Sequence, residues 1–185
     1  LIEYKELPRA TEIALSNEFY TIGYEMKRSF YTLAVLASIT CSAFGHTNVE
    51  NYVGIIEPQA LHQTYENFGA EFEGHQISEE DSALIRSIDE PIMIKVLFGT
   101  WCHDSAREVP RLNKLLHKAN NINISSSLIA VDRNKTTDER YKLEYTPTII
   151  VFQNNKELGR IVEKPKKSLA QDIVDIVRAS NNSSD

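Results

Sequence analysis

The chain has 185 residues, 42% of them hydrophobic and 25% charged, which suits one globular domain with a sizeable core. Lys and Arg number 20 against 26 Asp and Glu, a net charge of −6; with no basic stripe or basic–aromatic interleaving, this excludes nucleic acid as the expected partner. Two cysteines, Cys41 and Cys102, are too few for a disulfide framework.

The first Met is Met26, and the sequence from there has three parts. Met26-Lys27-Arg28 is basic, Ser29 to Thr40 is an apolar run, and Cys41-Ser42-Ala43-Phe44-Gly45 is a small-residue exit. That is the pattern of a secretory signal peptide over residues 26–45. The apolar run falls short of the roughly 20 residues that a membrane-spanning helix needs. Cleavage before His46 is expected, with cleavage after Ala43 as the second choice. Residues 1–25 are then expected to lie upstream of the true start, outside the working protein. Two alternatives stay open: Met26–Phe44 is an ordinary buried helix against which the first 25 residues pack, or Cys41 is the acylated residue of a lipoprotein, for which Ser38-Ile39-Thr40 is a poor approach. The signal reading places the protein in the periplasm or secreted, with no transmembrane segment in the mature chain and Cys102 as its one thiol.

Residues 46–89 read as an N-terminal extension. His46 to about Gly54 is a loose lead-in, and Pro58–Phe68 a short helix with Leu61, Tyr65 and Phe68 on one face. Gly69 and Gly74 are expected to end that pattern. Ser78 caps a further helix with an acidic first turn, Glu79-Glu80-Asp81, and an apolar face of Leu84, Ile85 and Ile88. His62 and His75 lack metal-ligand spacing and are expected at the surface; neither metal nor cofactor is called for.

Pro91–Phe98 is nearly continuously apolar and reads as a buried strand. Beyond it, Val109, Leu112, Leu115, Leu116 and Ala119 recur at helical spacing. Between them stands Gly99-Thr100-Trp101-Cys102-His103-Asp104-Ser105. A cysteine there sits at a helix N-terminus, where free N–H groups and the helix dipole favour a thiolate. After Asn120-Asn121-Ile122-Asn123 comes a second core strand, Leu128–Val131. Thr137–Arg140 opens a short helix carrying Tyr141 and Leu143. Thr148–Phe152 and Leu158–Val162 flank Asn154-Asn155-Lys156, a hairpin turn. Ser168 caps the last helix, with Leu169, Ile173, Ile176 and Val177 at core spacing. Lys164, Lys166 and Lys167 read as a solvated loop before it, and residues 180–185 as a frayed tail.

Trp101-Cys102-His103-Asp104-Ser105, with Pro110 eight residues after Cys102, resembles the thioredoxin superfamily, whose members carry Trp-Cys-x-x-Cys between a strand and a proline-kinked helix. Tyr145-Thr146-Pro147-Thr148 matches the position at which that family places a cis-proline beside the cysteine pair. The likeness runs from about Glu90 to Val177. It implies an α/β thioredoxin fold over residues 90–179, a mixed central sheet flanked by helices, here with an N-terminal helical extension. Ser105 stands where the second cysteine belongs, so Cys102 has no local resolving partner. Val96 and Leu128 stand where family members often have a buried acid and an accompanying lysine.

The resemblance makes Cys102 the expected nucleophile of thiol–disulfide exchange, with Ser105 a hydrogen-bond donor to its thiolate. Trp101, His103, Thr146 and Pro147 are the expected substrate-binding residues, the Thr146 backbone pairing with an extended peptide. Protonated His103 favours the thiolate and Asp104 opposes it. The leading expectation is a monothiol oxidoreductase of the bacterial cell envelope, acting on protein or small-molecule thiols and disulfides and released by an external reductant. Two alternatives have other chemistry: a non-catalytic binding or chaperone-like module, and a thiol redox sensor in which Cys102 becomes a sulfenic acid or is capped by a small thiol.

Overall fold

A computed structural model describes residues 51–137 and 139–181. The expected signal segment 26–45, the leading residues 1–25, Cys41 and the end of the tail from residue 182 lie outside the described residues. Among the described residues five strands are present: β1 (Gly54–Ile56), β2 (Ile92–Phe98), β3 (Ile124–Ala130), β4 (Thr148–Gln153) and β5 (Lys156–Val162). The helices are α1 (Pro58–Thr64), α2 (Glu66–Gly74), α3 (Glu79–Arg86), α4 (His103–Ala119) and α5 (Leu169–Asn181).

The strands form one sheet in the order β1-β3-β2-β4-β5. β2 and β3 run parallel, joined through α4, and every other neighbour pair is antiparallel. This is the mixed sheet with helical cover that was expected. Ile92, Ile94, Val96 and Phe98 of β2 face a single apolar core to which all five helices contribute. Burying each such side chain contributes about 1.5–3 kcal/mol. The opposite face is different. It carries Met93, Lys95 and Leu97, and among the described residues its cover comes from the connection between β3 and β4, whose regular structure is one 3-10 turn, Glu139–Tyr141. Tyr141 anchors that connection: its hydroxyl accepts from Lys95 Nζ at 3.0 Å, and its carbonyl accepts from Arg160 at 2.8 Å.

Local signals account for most boundaries. The Ser78 hydroxyl accepts from Asp81 N–H at 3.0 Å and starts α3; Ser168 does the same for α5 with Gln171 N–H at 3.2 Å. Asn154 and Asn155 both have positive φ, 49° and 62°, the backbone that a two-residue hairpin turn requires. Lys164, Lys166 and Lys167 are exposed, as a solvated loop should be.

The structure corrects several expectations. The lead-in contains β1, paired to β3 with Ile55 opposite Ile129. The 58–68 helix is two helices, and Gly69 lies inside the second instead of ending the first. A Cβ at Gly69 would stand 2.5 Å from the His62 carbonyl oxygen, so glycine is there to let α2 approach the backbone of α1. β3 begins four residues earlier than expected, at Ile124. The helix expected from Thr137 reduces to the 3-10 turn. The last helix runs through Ser180 to Asn181. His62 and His75 are half-buried: His62 stacks on Phe72 with centroids 4.2 Å apart and shares a 3.2 Å hydrogen bond with Asn113, while His75 lies 4.0 Å from Glu71.

Candidate functional site

β2 delivers the chain to the end of the sheet, and α4 starts there. Cys102 is the N-cap of this 17-residue helix, its backbone extended (φ −95°, ψ 124°) and its N–H bonded to the Gly99 carbonyl at 3.0 Å. The first N–H groups of α4 have no partner within the helix, and the positive end of its dipole points at the residue that precedes it. The sulfur is half-buried. It donates to the Thr146 carbonyl oxygen at 3.1 Å.

The loop before β4 is fixed from both sides. Thr146 and Pro147 are buried and joined by a cis peptide bond. The Thr148 hydroxyl donates to the Tyr145 carbonyl at 2.7 Å, and Glu163 N–H donates to the Pro147 carbonyl at 2.8 Å. Tyr145 stands outside, 54% exposed, beside this rigid edge.

Trp101 is oriented by two contacts. Its indole N–H donates to the Val131 carbonyl at 3.2 Å, and the Arg133 guanidinium lies 5.3 Å from the ring centroid. The ring folds back over Gly99, where an added Cβ would meet it at 2.5–2.9 Å. Asp132, between these two partners, keeps its carboxyl below its ordinary range because Thr136 N–H donates to it at 2.8 Å. Arg133 is a residue that sequence reasoning missed. It follows β3 in a polar turn with nothing in the local pattern to mark it.

The remaining expected residues are placed differently. Ser105 is fully buried, and its hydroxyl accepts the Gly99 N–H at 3.3 Å; among the described residues no hydrogen bond joins it to Cys102. It braces the turn that leads into the cysteine. His103 is exposed and forms no hydrogen bond or ion pair among the described residues. Asp104 is drawn to Arg107 at 2.8 Å. Val96 and Leu128 are register partners, 0% and 2% exposed, within the apolar core. No ionisable side chain occupies those two positions. The Thr100 hydroxyl is buried without a hydrogen-bond partner in the same turn.

The arrangement thus joins Cys102 to Thr146 directly, sets Trp101 beside it through Arg133 and Val131, and leaves Ser105 beneath. Chemically it offers one thiol at a helix N-terminus, next to the backbone of Thr146. Among the described residues no group of three His, Cys, Asp or Glu could hold a metal ion, and no helix is long and apolar enough to cross a membrane.

A family model described as thioredoxin matches residues 59–178. A thioredoxin from Echinococcus granulosus is 27% identical over 73 residues, 40% of this chain; the chain spans 66% of that relative's length, just under two thirds. Among solved structures, a Pseudomonas aeruginosa protein of unknown function is similar at 18% identity and TM-score 0.49, covering 66% of this chain and 85% of that one. An HIV epitope-scaffold gives 18% identity, the same coverage of each chain and TM-score 0.48. The family match spans the residues of the cysteine turn, the Thr146–Pro147 edge and the helices α1 to α3 from residue 59 onward, and the chain belongs to the thioredoxin family.

Proposed function

We propose that this protein is a monothiol thiol–disulfide exchange protein that works through a mixed disulfide on Cys102. The observation that carries the reading is the placement of Cys102: N-cap of α4, half-buried, with its sulfur 3.1 Å from the Thr146 backbone. The Cys102 thiol loses its proton to solvent, and the thiolate attacks one sulfur of a substrate disulfide. A bond forms from Cys102 Sγ to that sulfur, the substrate S–S bond breaks, and the departing thiolate takes a proton. With a hydroxyl at Ser105 there is no second thiol to attack the adduct. An external small thiol therefore completes the cycle: it attacks the substrate sulfur of the adduct, takes that sulfur into a new disulfide and returns Cys102 to the thiol. Trp101, His103, Thr146 and Pro147 form the substrate surface, with Thr146 pairing to an extended peptide. The sequence of residues 26–45 supports a location in the bacterial envelope.

The test is trapping. The chain is incubated with a peptide disulfide, quenched with acid and analysed by mass spectrometry. A single adduct on Cys102, absent from Cys102→Ser and released by glutathione, is the expected result. Peptide binding of equal strength to wild type and Cys102→Ser, with no adduct, replaces this reading with a binding module. Sulfenic acid on Cys102 after peroxide, again with no peptide adduct, replaces it with a sensor. Amino-terminal sequencing of the exported chain tests the location, with His46 as the expected first residue.

A further inference from the structure

The less covered face of the sheet holds a second site of different chemistry, at the opposite end of β2 from Cys102. Met93 of β2 is in register with Ser125 of β3 and Phe152 of β4, so the three share that face; Lys95 lies one step further along. The connection through Tyr141 covers only part of the row. A cavity of about 930 Å³ remains, at the upper end of the 300–1,000 Å³ typical of small-molecule sites.

Charge gives this cavity its character. Lys95 Nζ donates to the Tyr141 hydroxyl at 3.0 Å and lies 5.3 and 5.4 Å from the Tyr141 and Phe152 ring centroids. Among the described residues no carboxylate comes within ion-pair distance of it. Aromatic faces stabilise an ammonium but accept none of its protons in the manner of a carboxylate. An ammonium has three donors, and Tyr141 uses one. Glu157 is the one acid in the cavity wall, and Arg160 grips both of its oxygens, each at 2.6 Å. Lys95 therefore gives the cavity wall an ammonium with no carboxylate beside it, on a chain whose net charge is −6. Beside the charge stand amide side chains, Asn123 and Asn155, and uncovered apolar groups: Met93 is 41% exposed and Ile122 97%.

We propose that this cavity binds a small organic carboxylate with an aromatic or branched apolar body. The carboxylate meets Lys95 and the amide groups, and the body covers Met93, Ile122 and Phe152. The site is independent of the thiol: it shares no residue with the cysteine turn.

The test uses 2-naphthoate as the probe and its neutral counterpart 2-naphthamide, each titrated into the full chain and followed by amide NMR shifts. Naphthoate is expected to give saturable shifts at Lys95, Ser125 and Phe152 and none at Trp101 or Cys102. Loss of the charge-assisted contact is expected to weaken binding about tenfold, whether the ligand is made neutral or Lys95→Met removes the ammonium. Lys95→Arg, which keeps the charge, is expected to retain it. Equal binding of naphthoate and naphthamide overturns the proposal, as do unchanged binding by Lys95→Met or shifts that never saturate. If Lys95→Met does not fold, as shown by its thermal melt, the comparison of the two ligands on the wild-type chain decides alone.

Discussion

Cys102 Sγ and the carbonyl oxygen of Thr146 are hydrogen-bonded at 3.1 Å, across 44 residues of chain. The bond joins the start of α4 to the residue before Pro147, so the sulfur holds two elements together as well as offering a nucleophile. Substitutions at Cys102 should separate these roles. Cys102→Ser keeps a donor to Thr146 and is expected to unfold in urea within about 0.5 kcal/mol of wild type, whereas Cys102→Ala strands that carbonyl and is expected to lose about 1 kcal/mol. Both abolish adduct formation.

Ser105→Cys should restore the missing step. The introduced thiol lies one helical turn from Cys102 and can attack the mixed disulfide, closing an internal disulfide and expelling the substrate. In the trapping experiment the standing adduct is expected to fall about tenfold, with both protein thiols lost together on oxidation by oxidised glutathione. Free-thiol titration checks the second part. Some stability is lost as well, because the Ser105 hydroxyl no longer receives the Gly99 N–H.

Gly99→Ala is expected to be costly. Its Cβ would fall 2.5 Å from the Trp101 ring, which is held by Val131 and Arg133 and cannot move without releasing them. Overpacking of this kind costs about 1–3 kcal/mol. Denaturation in urea measures the loss, and a red shift of the emission of Trp101, the chain's one tryptophan, reports the displaced ring.

Stability should fall as pH drops below neutral. Burial holds His62 below its ordinary value of 6.5 despite Glu73, and burial followed by Arg111 does the same for His75. Both imidazoles are thus less readily protonated folded than unfolded. Their effect is absent above the unfolded value and grows as pH falls through 6.5, where the unfolded chain binds more protons. The depressed carboxyls of Glu79, Asp132 and Asp175 have ordinary values of 4.5, 3.8 and 3.8, so their contribution is lost only in that more acidic range. Urea midpoints measured from pH 8 to 5 are expected to be level at first and then decline, with His62→Gln flattening part of the decline.

A chain that starts at Glu90 is expected not to fold. Leu61, Phe68 and Ile85, from α1, α2 and α3, are each 0% exposed within the common core, and the Phe68 ring lies 5.8 Å from that of Phe98. Phe68→Ala alone should cost about 3–5 kcal/mol. Circular dichroism of the shortened chain makes the check, and native-like melting of it would show that these helices are dispensable.

What the sequence revealed follows the strength of each local signal. The run of Ile92 to Phe98 and the spacing of Val109, Leu112, Leu115 and Ala119 mark β2 and α4 because each buries one continuous face. The first half of β3 was hidden by Ser125-Ser126-Ser127, whose edges need hydrogen bonds more than apolar side chains. β1 has only three residues, one of them 66% exposed, too short for alternation to show. The positions of Cys102 at the start of α4 and of Pro147 just before β4 were legible from their motifs. The turn of the Ser105 hydroxyl toward Gly99 and the stacking of Arg133 on Trp101 were not, since both depend on how separate segments meet in space.

The pairing of Gly54 with Ala130 bears on the order in which the molecule assembles and opens. The loop it closes contains four helices and β2, so β1 has no template until the parallel pair of β2 and β3 exists. Its closure entropy is recovered through only three residues at a sheet edge. β1 is therefore expected to be the last strand to dock and the first to detach. Its amides should exchange with solvent ahead of those of every other strand, briefly baring the outer edge of β3 to any extended chain nearby.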